Sequence, residues 1–512
     1  KGALVLVPTP TTNPNDPLTW SKPYKAWNIS CLLLWAFLAN ACIAWSSPAW
    51  AIWITDLDTT YVALDYGQSI LVMMGGVGVL FLQPSTIKHS RRLSYFIGSL
   101  FILVGLICGI LMTNISLYFA YMALAGIGTA PSYCTIITSL LDVTFLHQKG
   151  EALGLYGFVL SVGTFLPPLA AGYIVDAQGW LWVFRYLLVF FGVSTLLVVF
   201  TVEETSFART AQLAREGGAF AVAKSLRSPI LTGDGREPKD EAKSRATTFE
   251  LHPTSSSTSV KASPAQPKRY TYLQRMTLYR PNEDVKAGYW NLTFSMVQVA
   301  ALPASLWASL QLAFPTLIVS VIMTTQASFF AAPPYNFTPA QLGLMYIPVA
   351  IGALLGAVLS GPVTDMLLVR LARRRNGYHD PENRLWMYLP VPILVALGSL
   401  MYGVGAAAGV HWMIPCIGLF FIGMYINISL PVALGYALDS YPELEGEIVQ
   451  LSTFTRQILG GAFSFCIQPW INHNGPQTTI IILTVIVVVA HVTSIAFQIW
   501  GKDARRKTAQ RY

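Results

Sequence analysis

Arg456 is the residue with the most chemical consequence in this chain, because it lies inside the apolar run 447–471. With Glu447 at the edge of that run and a rise of ~1.5 Å per residue, Arg456 sits ~14 Å deep, about half of a ~30 Å hydrocarbon core. A central arginine costs at least ~2.5 kcal/mol to insert into lipid, so it needs a partner or a wet cavity. One reading is a cavity cation that grips a carboxylate, a phosphate or another electron-rich group. The other is a structural arginine bonded to carbonyls of neighbouring helices. Uncharged polar groups fall at similar depth: Asn40, Gln311, Asn427 and Gln457, with the hydroxyls of Tyr133, Tyr346 and Tyr425. Asn40, Gln311, Asn427, Tyr346 and Tyr425 are taken with Arg456 as candidate substrate-binding residues, since a few convergent polar groups orient a ligand in an apolar pocket. Each alone also fits an interhelical hydrogen bond.

Every Asp and Glu reads as lying at a run end, in a loop or in a tail, with Asp56, Asp58 and Asp65 in the loop after the first run. An ammonium needs a buried counter-charge, so this pattern speaks against a polycationic substrate and leaves no mid-depth proton carrier. His491, alone in the last run, reads as a packing residue. Charges at run ends are candidates for conformational gating. Asp365, in Gly361-Pro362-Val363-Thr364-Asp365, stands at a helix C-terminus, where the dipole disfavours it. It should therefore have a cationic partner, either Arg370 or a residue on another helix. Asp142, Asp439, Arg91 and Arg92 invite the same reading. No HExxH, GxSxG or CxxC pattern occurs. Gly218 to Ser225 falls one Gly short of a phosphate-binding loop and has no strand before it. The six cysteines fall in apolar runs and read as small packing residues. No enzyme activity, metal, cofactor or nucleic-acid partner is expected.

The elements that must position these groups are membrane spans. The chain is 54% hydrophobic and 11% charged, against about 25% charged residues in soluble domains. A spanning helix needs ~20 mostly apolar residues, and twelve such runs occur. The first six are near 27–50, 67–87, 93–112, 116–139, 151–175 and 180–202. The second six are near 303–330, 341–368, 385–408, 412–438, 447–471 and 477–500. The fold expected is all-α: twelve transmembrane helices in two six-helix halves, 27–202 and 303–500, with tails 1–26 and 501–512. The linker 203–302 reads as largely disordered, with its Ser/Thr run at 254–259. Of the 33 Lys and Arg, all but Arg185 and Arg456 fall on one alternating set of loops and tails. By the positive-inside rule that set, with both termini, is cytoplasmic. The same count makes 289–302 an interfacial helix rather than a thirteenth span. No cleavable signal peptide is expected.

The halves resemble each other. Leu141-Asp142 precedes Gly150-Glu151 between spans 4 and 5, and Leu438-Asp439 precedes Gly446-Glu447 between spans 10 and 11. Internal repeats of this kind mark transporters, with the substrate site between halves near mid-membrane. Gly126, Gly128, Gly163, Pro167, Pro168, Gly352, Gly356 and Ser360 supply small or helix-bending residues suited to close packing.

The chain resembles the major facilitator superfamily, and within it the fungal drug:proton antiporter-like group that includes polyamine and drug transporters. The likeness is carried by Leu4-Val5-Leu6-Val7-Pro8 with Asn13-Pro14-Asn15-Asp16-Pro17-Leu18-Thr19-Trp20, and by Pro333-Pro334-Tyr335-Asn336-Phe337 before span 8. It continues in Arg373-Arg374-Arg375-Asn376-Gly377 with Pro381-Glu382-Asn383-Arg384-Leu385, then Asp439-Ser440-Tyr441, Gly446-Glu447, Arg456 and Pro469-Trp470. There are departures. The superfamily's 2–3 loop pattern survives as Arg91-Arg92, with Gln83, Ile87 and Ser90 at its Gly, Asp and second Gly places; the second copy keeps Gly361 and Asp365. Met122 stands where such antiporters carry the span 4 Arg linked to proton coupling, and Pro167 replaces the second Gly of the span 5 pattern. The resemblance implies alternating access to a site lined by spans 1, 4, 7 and 10, with Arg456 added from span 11. It implies a monomer in a fungal plasma membrane, or else a vacuolar one, moving a small organic molecule; the lack of mid-depth carboxylates, not the resemblance, makes that molecule anionic or neutral. Efflux is favoured over uptake; proton coupling is an open expectation. A receptor or sensor on the same fold, with the linker as output, is the alternative.

Overall fold

A computed structural model of the chain describes residues 11, 13–145, 148–207, 270–280, 288–374, 380–441 and 444–509. In lipid every backbone polar group must be satisfied internally, so long apolar runs become helices. Among the described residues there are twelve long helices. The first half holds α1 (Lys22–Asp56), α2 (Tyr61–Lys88), α3 (Arg91–Ile110), α4 (Ile115–Val143), α5 (Gly150–Gln178) and α6 (Leu181–Thr201). The second holds α7 (Pro303–Phe330), α8 (Pro339–Leu371), α9 (Pro381–Ala407), α10 (Met413–Ser440), α11 (Glu445–Asn474) and α12 (Pro476–Arg505). Eleven are long and apolar enough to cross a membrane; α11 is as long, but Glu445, Glu447, Arg456 and Gln457 dilute its apolar character. No strand occurs among the described residues.

Burial sorts the helices the same way in both halves. The most apolar stretches of α1, α4, α7 and α10 are 72, 89, 72 and 78% buried, whereas those of α3, α6, α9 and α12 are 44, 39, 39 and 33%. The first, fourth, seventh and tenth helices therefore form the centre. The others present Val104, Ile107, Val189, Phe190, Ile393 and Val485 outward, as lipid-facing surfaces do.

Several helices are interrupted. α1 passes through a short turn at Ser47–Ala49, α4 breaks at Cys134 after Pro131, and α5 bends at Leu166 before Pro167. α8 and α9 each contain one π turn, at Leu359–Val363 and Leu400–Val404.

Asp65 is not in a loop. The Thr60 hydroxyl caps the backbone N–H of Ala63 at 3.3 Å, so α2 starts at Tyr61, before the apolar run, and carries Asp65 into the bundle, fully buried. A hydropathy run begins where side chains turn apolar, but a helix begins where its first N–H groups find a cap.

At the end of the bundle that carries the basic loops, the tail folds onto the first half. The Asp16 carboxylate accepts the backbone N–H groups of Thr11 and Leu18, each at 3.0 Å, and Lys25 Nζ donates to the Val143 carbonyl at 3.1 Å. The far end of the linker docks there too: Tyr270 N–H donates to Asn15 Oδ1 at 2.9 Å and Arg275 pairs with Glu203. Of the linker 203–302, expected to be largely disordered, residues 208–269 and 281–287 lie outside the described residues. A helix, Tyr289–Ala300, buries Leu292, Thr293, Met296 and Val299 and exposes Trp290, Phe294 and Val297. It packs against α2 and α11 and is not among the long apolar helices.

Candidate functional site

A cavity lies between the halves, walled by α1, α2, α4 and α5 on one side and α7, α10 and α11 on the other. Water can reach a volume of about 80 Å³ in it, room for a few waters. The walls are mainly apolar: Leu71, Val72, Leu160, Phe165, Val319 and Ile426. Asn40, Gln68, Ser161, Thr164, Ser320, Asn427, Gln457 and Arg456 interrupt them.

Arg456 is the one charged residue in that lining. Its guanidinium carbon lies 4.5 Å from the centre of the Tyr133 ring, and its Nε has no hydrogen-bond partner. Among the described residues no carboxylate pairs with it. The aromatic face supplies part of what an anion would otherwise give, about 0.5–2 kcal/mol. It leaves the planar donor fork available to a ligand oxygen. Tyr133 is the last residue before the break in α4, and its carbonyl accepts from Thr453 Oγ1 at 3.3 Å and from Tyr156 OH at 3.4 Å. Those bonds tie α4 to α11 and α5 around the guanidinium.

Asn427 donates from Nδ2 to Ser161 Oγ at 2.6 Å, while its Oδ1 is buried without a partner beside the cavity. Asn40 donates to the Ala36 carbonyl at 2.8 Å and to Ser132 Oγ at 3.2 Å. Three candidates do not reach the cavity. Gln311 and Tyr425 belong to a buried cluster around His491 of α12. Gln311 Oε1 lies 2.6 Å from His491 Nδ1, and Tyr425 OH lies 2.9 Å from Nε2. Tyr388 OH lies 3.1 Å from Nδ1 and 2.9 Å from Ser429 Oγ. Both ring nitrogens are engaged by neutral partners, an arrangement that suits a neutral imidazole joining α7, α9, α10 and α12. Tyr346 bonds Ser47 Oγ at 3.0 Å and stacks on Phe165, bridging α8 and α1 away from the basic loops. Sequence reasoning passed over Gln68, Ser161, Thr164 and Ser320 in the lining. Nothing but their polarity within apolar runs marked them.

The gating candidates divide into two kinds. Arg91 pairs with Asp142 at 2.6 Å, and Arg384 pairs with Asp439 at 2.9 Å. These are matching pairs, each joining the start of a half's third helix to the end of its fourth. Arg92 works inside the first half as well: its backbone N–H reaches Glu204 at 3.2 Å and its side chain donates to the Val199 carbonyl. Asp365 instead joins the halves. It accepts the Glu151 N–H at 3.1 Å at the start of α5, and a Cβ on Gly150 would overlap its carboxylate. Arg370 is exposed and forms no ion pair with Asp365 among the described residues. Two partners take that place: the Arg384 guanidinium of α9, which attracts the carboxylate, and the N-terminus of α5, whose free N–H groups and positive dipole end face it. At the equivalent place in the first half, Ile87 faces Gly446 of α11, and Gln83 Nε2 lies 3.4 Å from the Gly446 carbonyl.

At the opposite end of the bundle the halves also meet. Asp176 accepts the Ala340 N–H at 3.1 Å, the rings of Tyr66 and Phe465 lie 5.6 Å apart, and Gln468 N–H approaches Asp65 at 3.4 Å. Contacts between halves thus flank the cavity on both sides.

Comparison with known proteins agrees with this architecture. The chain is 28% identical over 522 residues to the uncharacterized MFS-type transporter C1271.10c of Schizosaccharomyces pombe, covering 100% of this chain and 90% of that one. It is 24% identical over 462 residues to the efflux pump radE of Floropilus chiversii, covering 88% and 75%. The solved structure of the proton:xylose symporter XylE, bound to 6-bromo-6-deoxy-D-glucose, superposes with a TM-score of 0.61 at 12% identity, covering 94% of this chain and 97% of that one, which shows the fold. The family model for the Major Facilitator Superfamily matches residues 32–465, and the chain, an integral membrane protein built for secondary transport, belongs to that superfamily.

Proposed function

We propose that this protein exports a small organic molecule bearing a carboxylate or carbonyl oxygen by alternating access through the central cavity. The observation that carries the reading is Arg456: a guanidinium braced by Tyr133, facing a largely apolar cavity whose lining holds no carboxylate. An anionic or neutral oxygen acceptor fits such a lining, whereas an ammonium would meet a like charge. Asn427 Oδ1 and Gln457 add polar positions that orient the ligand. In its present state the cavity is too small for a drug-sized molecule, so binding requires the halves to part. The efflux direction is supported by the resemblance to drug antiporters and by the efflux-pump name of one relative. The charge asymmetry supports a cytoplasmic basic end with both termini, and the same resemblance supports a monomer in a fungal plasma membrane, or else a vacuolar one.

The test is thermal stabilisation of the purified protein by a panel of anionic, neutral and cationic metabolites, with Arg456→Ala alongside. A ligand at a hundredfold excess over its dissociation constant adds ~2.7 kcal/mol. Stabilisation of the parent by carboxylates or carbonyl-rich compounds, lost in the variant, supports the reading. Equal stabilisation of both proteins by cations overturns it.

A further inference from the structure

We propose that the transported molecule carries, besides the oxygen held by Arg456, a neutral O–H or N–H group that donates to Asn427 Oδ1. Its chemical class is then a hydroxylated or amide-bearing acid or carbonyl compound on an apolar frame. The inference rests on the Arg456 reading of the cavity and adds a second point of recognition to it.

The polar groups of the cavity wall have spent their donors on the protein. Asn427 is buried and gives Nδ2 to Ser161 Oγ of α5 at 2.6 Å, so its amide is held one way round. Oδ1 then stands beside Gly157, one helical turn from Ser161, where a Cβ would come within 3.2 Å of it. That oxygen is buried and has no hydrogen-bond partner. Asn40 of α1 gives Nδ2 to the Ala36 carbonyl and to Ser132 Oγ, which uses both amide protons and leaves its carbonyl oxygen. The Thr164 hydroxyl gives its proton to the Leu160 carbonyl at 3.0 Å and can only accept from a ligand. All three residues line the cavity. Acceptors from α1, α5 and α10 thus share the wall with one strong donor, the Arg456 guanidinium of α11.

This pattern sets what a ligand must bring. A methylene or an ether oxygen placed at Asn427 leaves Oδ1 desolvated and unpaired, whereas an O–H or N–H satisfies it. An ammonium would also donate, but the lining offers it no carboxylate and one guanidinium, so the donor is neutral. Leu160, Phe165 and Ile426 lie among the polar positions, which makes the frame that joins the two ligand groups apolar. Asn427 belongs to the second half and Ser161 to the first. The bond that fixes the amide therefore exists only while α5 and α10 are together, and a donor-bearing ligand is read most fully when the halves close over it.

The experiment measures thermal stabilisation of the purified full chain by hexanoate, by its hydroxy derivatives at the second, third and terminal carbons, and by the methyl ether of each. At least one hydroxy acid is expected to bind about three- to tenfold more tightly than hexanoate and than its own ether, the worth of one hydrogen bond. Asn427→Ala should abolish that preference while hexanoate binds as before. Ser161→Ala keeps Oδ1 but frees the amide to turn, so the preference should shrink and the ether should gain; this variant decides the matter if Asn427→Ala does not fold. A parent without the hydroxy preference, or a preference unchanged in Asn427→Ala, overturns the proposal. So does tighter binding of the ethers, which would mean that Nδ2 meets the ligand. Hexanoate binding that needs Arg456 but shows no hydroxy preference removes this inference alone. A hydroxy preference that persists at full affinity in Arg456→Ala removes the Arg456 reading alone, and no binding by any probe removes both.

Discussion

Removing the negative partner of the Arg384–Asp439 pair should be the costliest single change at the basic end. The ions stand 2.9 Å apart with their side chains 4 and 7% exposed. At an effective dielectric constant of about 20, that distance corresponds to roughly 6 kcal/mol of attraction. The matching pair, Arg91–Asp142, is closer, at 2.6 Å, but its side chains are 13 and 19% exposed. Distance alone would rank it first. Burial reverses the order, because water screens the more open pair and can solvate whichever ion is left behind. Asp439→Asn leaves a guanidinium packed against Gly435 of α10 without its hydrogen-bonded carboxylate, with the half-buried Asp365 as its remaining counter-charge, and should cost up to about 3–5 kcal/mol. Asp142→Asn should cost clearly less. Thermal and denaturant unfolding in detergent measure both. The double variant Arg384→Met/Asp439→Leu should recover much of the loss, since no buried charge is then stranded. Equal losses for Asp439→Asn and Asp142→Asn, or no recovery in the double variant, would refute the burial argument.

Four further outcomes follow from the same geometry. Tyr133→Ala should weaken binding of the ligand that Arg456 holds by about 0.5–2 kcal/mol, the worth of the lost ring contact, measured by titration against the stabilising compound. Gln311→Ala and His491→Phe should each lower stability by about 1–3 kcal/mol by leaving buried partners unpaired while ligand affinity stays unchanged; a large affinity loss would return Gln311 to the binding site. Gly150→Ala should loosen the α5–α8 contact and raise labelling of a cysteine placed at the basic end. Ile87→Asp, by setting a carboxylate at the N-terminus of α11 as Asp365 is set at that of α5, should reduce that labelling, a bias of about 0.3–1 kcal/mol.

The sequence was most legible where physics acts on whole helices. Apolar length and the one-sided distribution of Lys and Arg are collective properties, so the twelve spans and the two matched halves could be read from them. Arg456 stood out because a cation inside an apolar run has few tolerable environments, and its side chain lines the cavity between the halves. Direction around a helix was not legible. Asn427 and Gln311 look alike in sequence, yet one borders the cavity and the other is spent on His491 of α12. Only the neighbouring helix decides between those fates. Asp365 shows another limit. Its need for a positive partner was evident from its place at a helix end, but a backbone N–H carries no residue letter, so Glu151 N could not be named. Asp65 was misplaced because hydropathy does not see the cap at Thr60.

The π turn at Leu359–Val363 gives the Asp365 contact a further meaning. A π turn accommodates one residue more than an α turn, and one residue is about 100° of rotation around the helix axis. Everything in α8 beyond Val363 therefore stands out of phase with what precedes it. The stretch that packs on α10, with Gly352 and Gly356 against Phe420 and Met424, and the stretch that presents Asp365 to α5 need not share one helical face. Shortening the turn by one residue would swing the carboxylate off the start of α5 while leaving the packing on α10 in place. The grip between halves at the basic end is thus set by the timing of a single surplus residue as much as by the charge it aims.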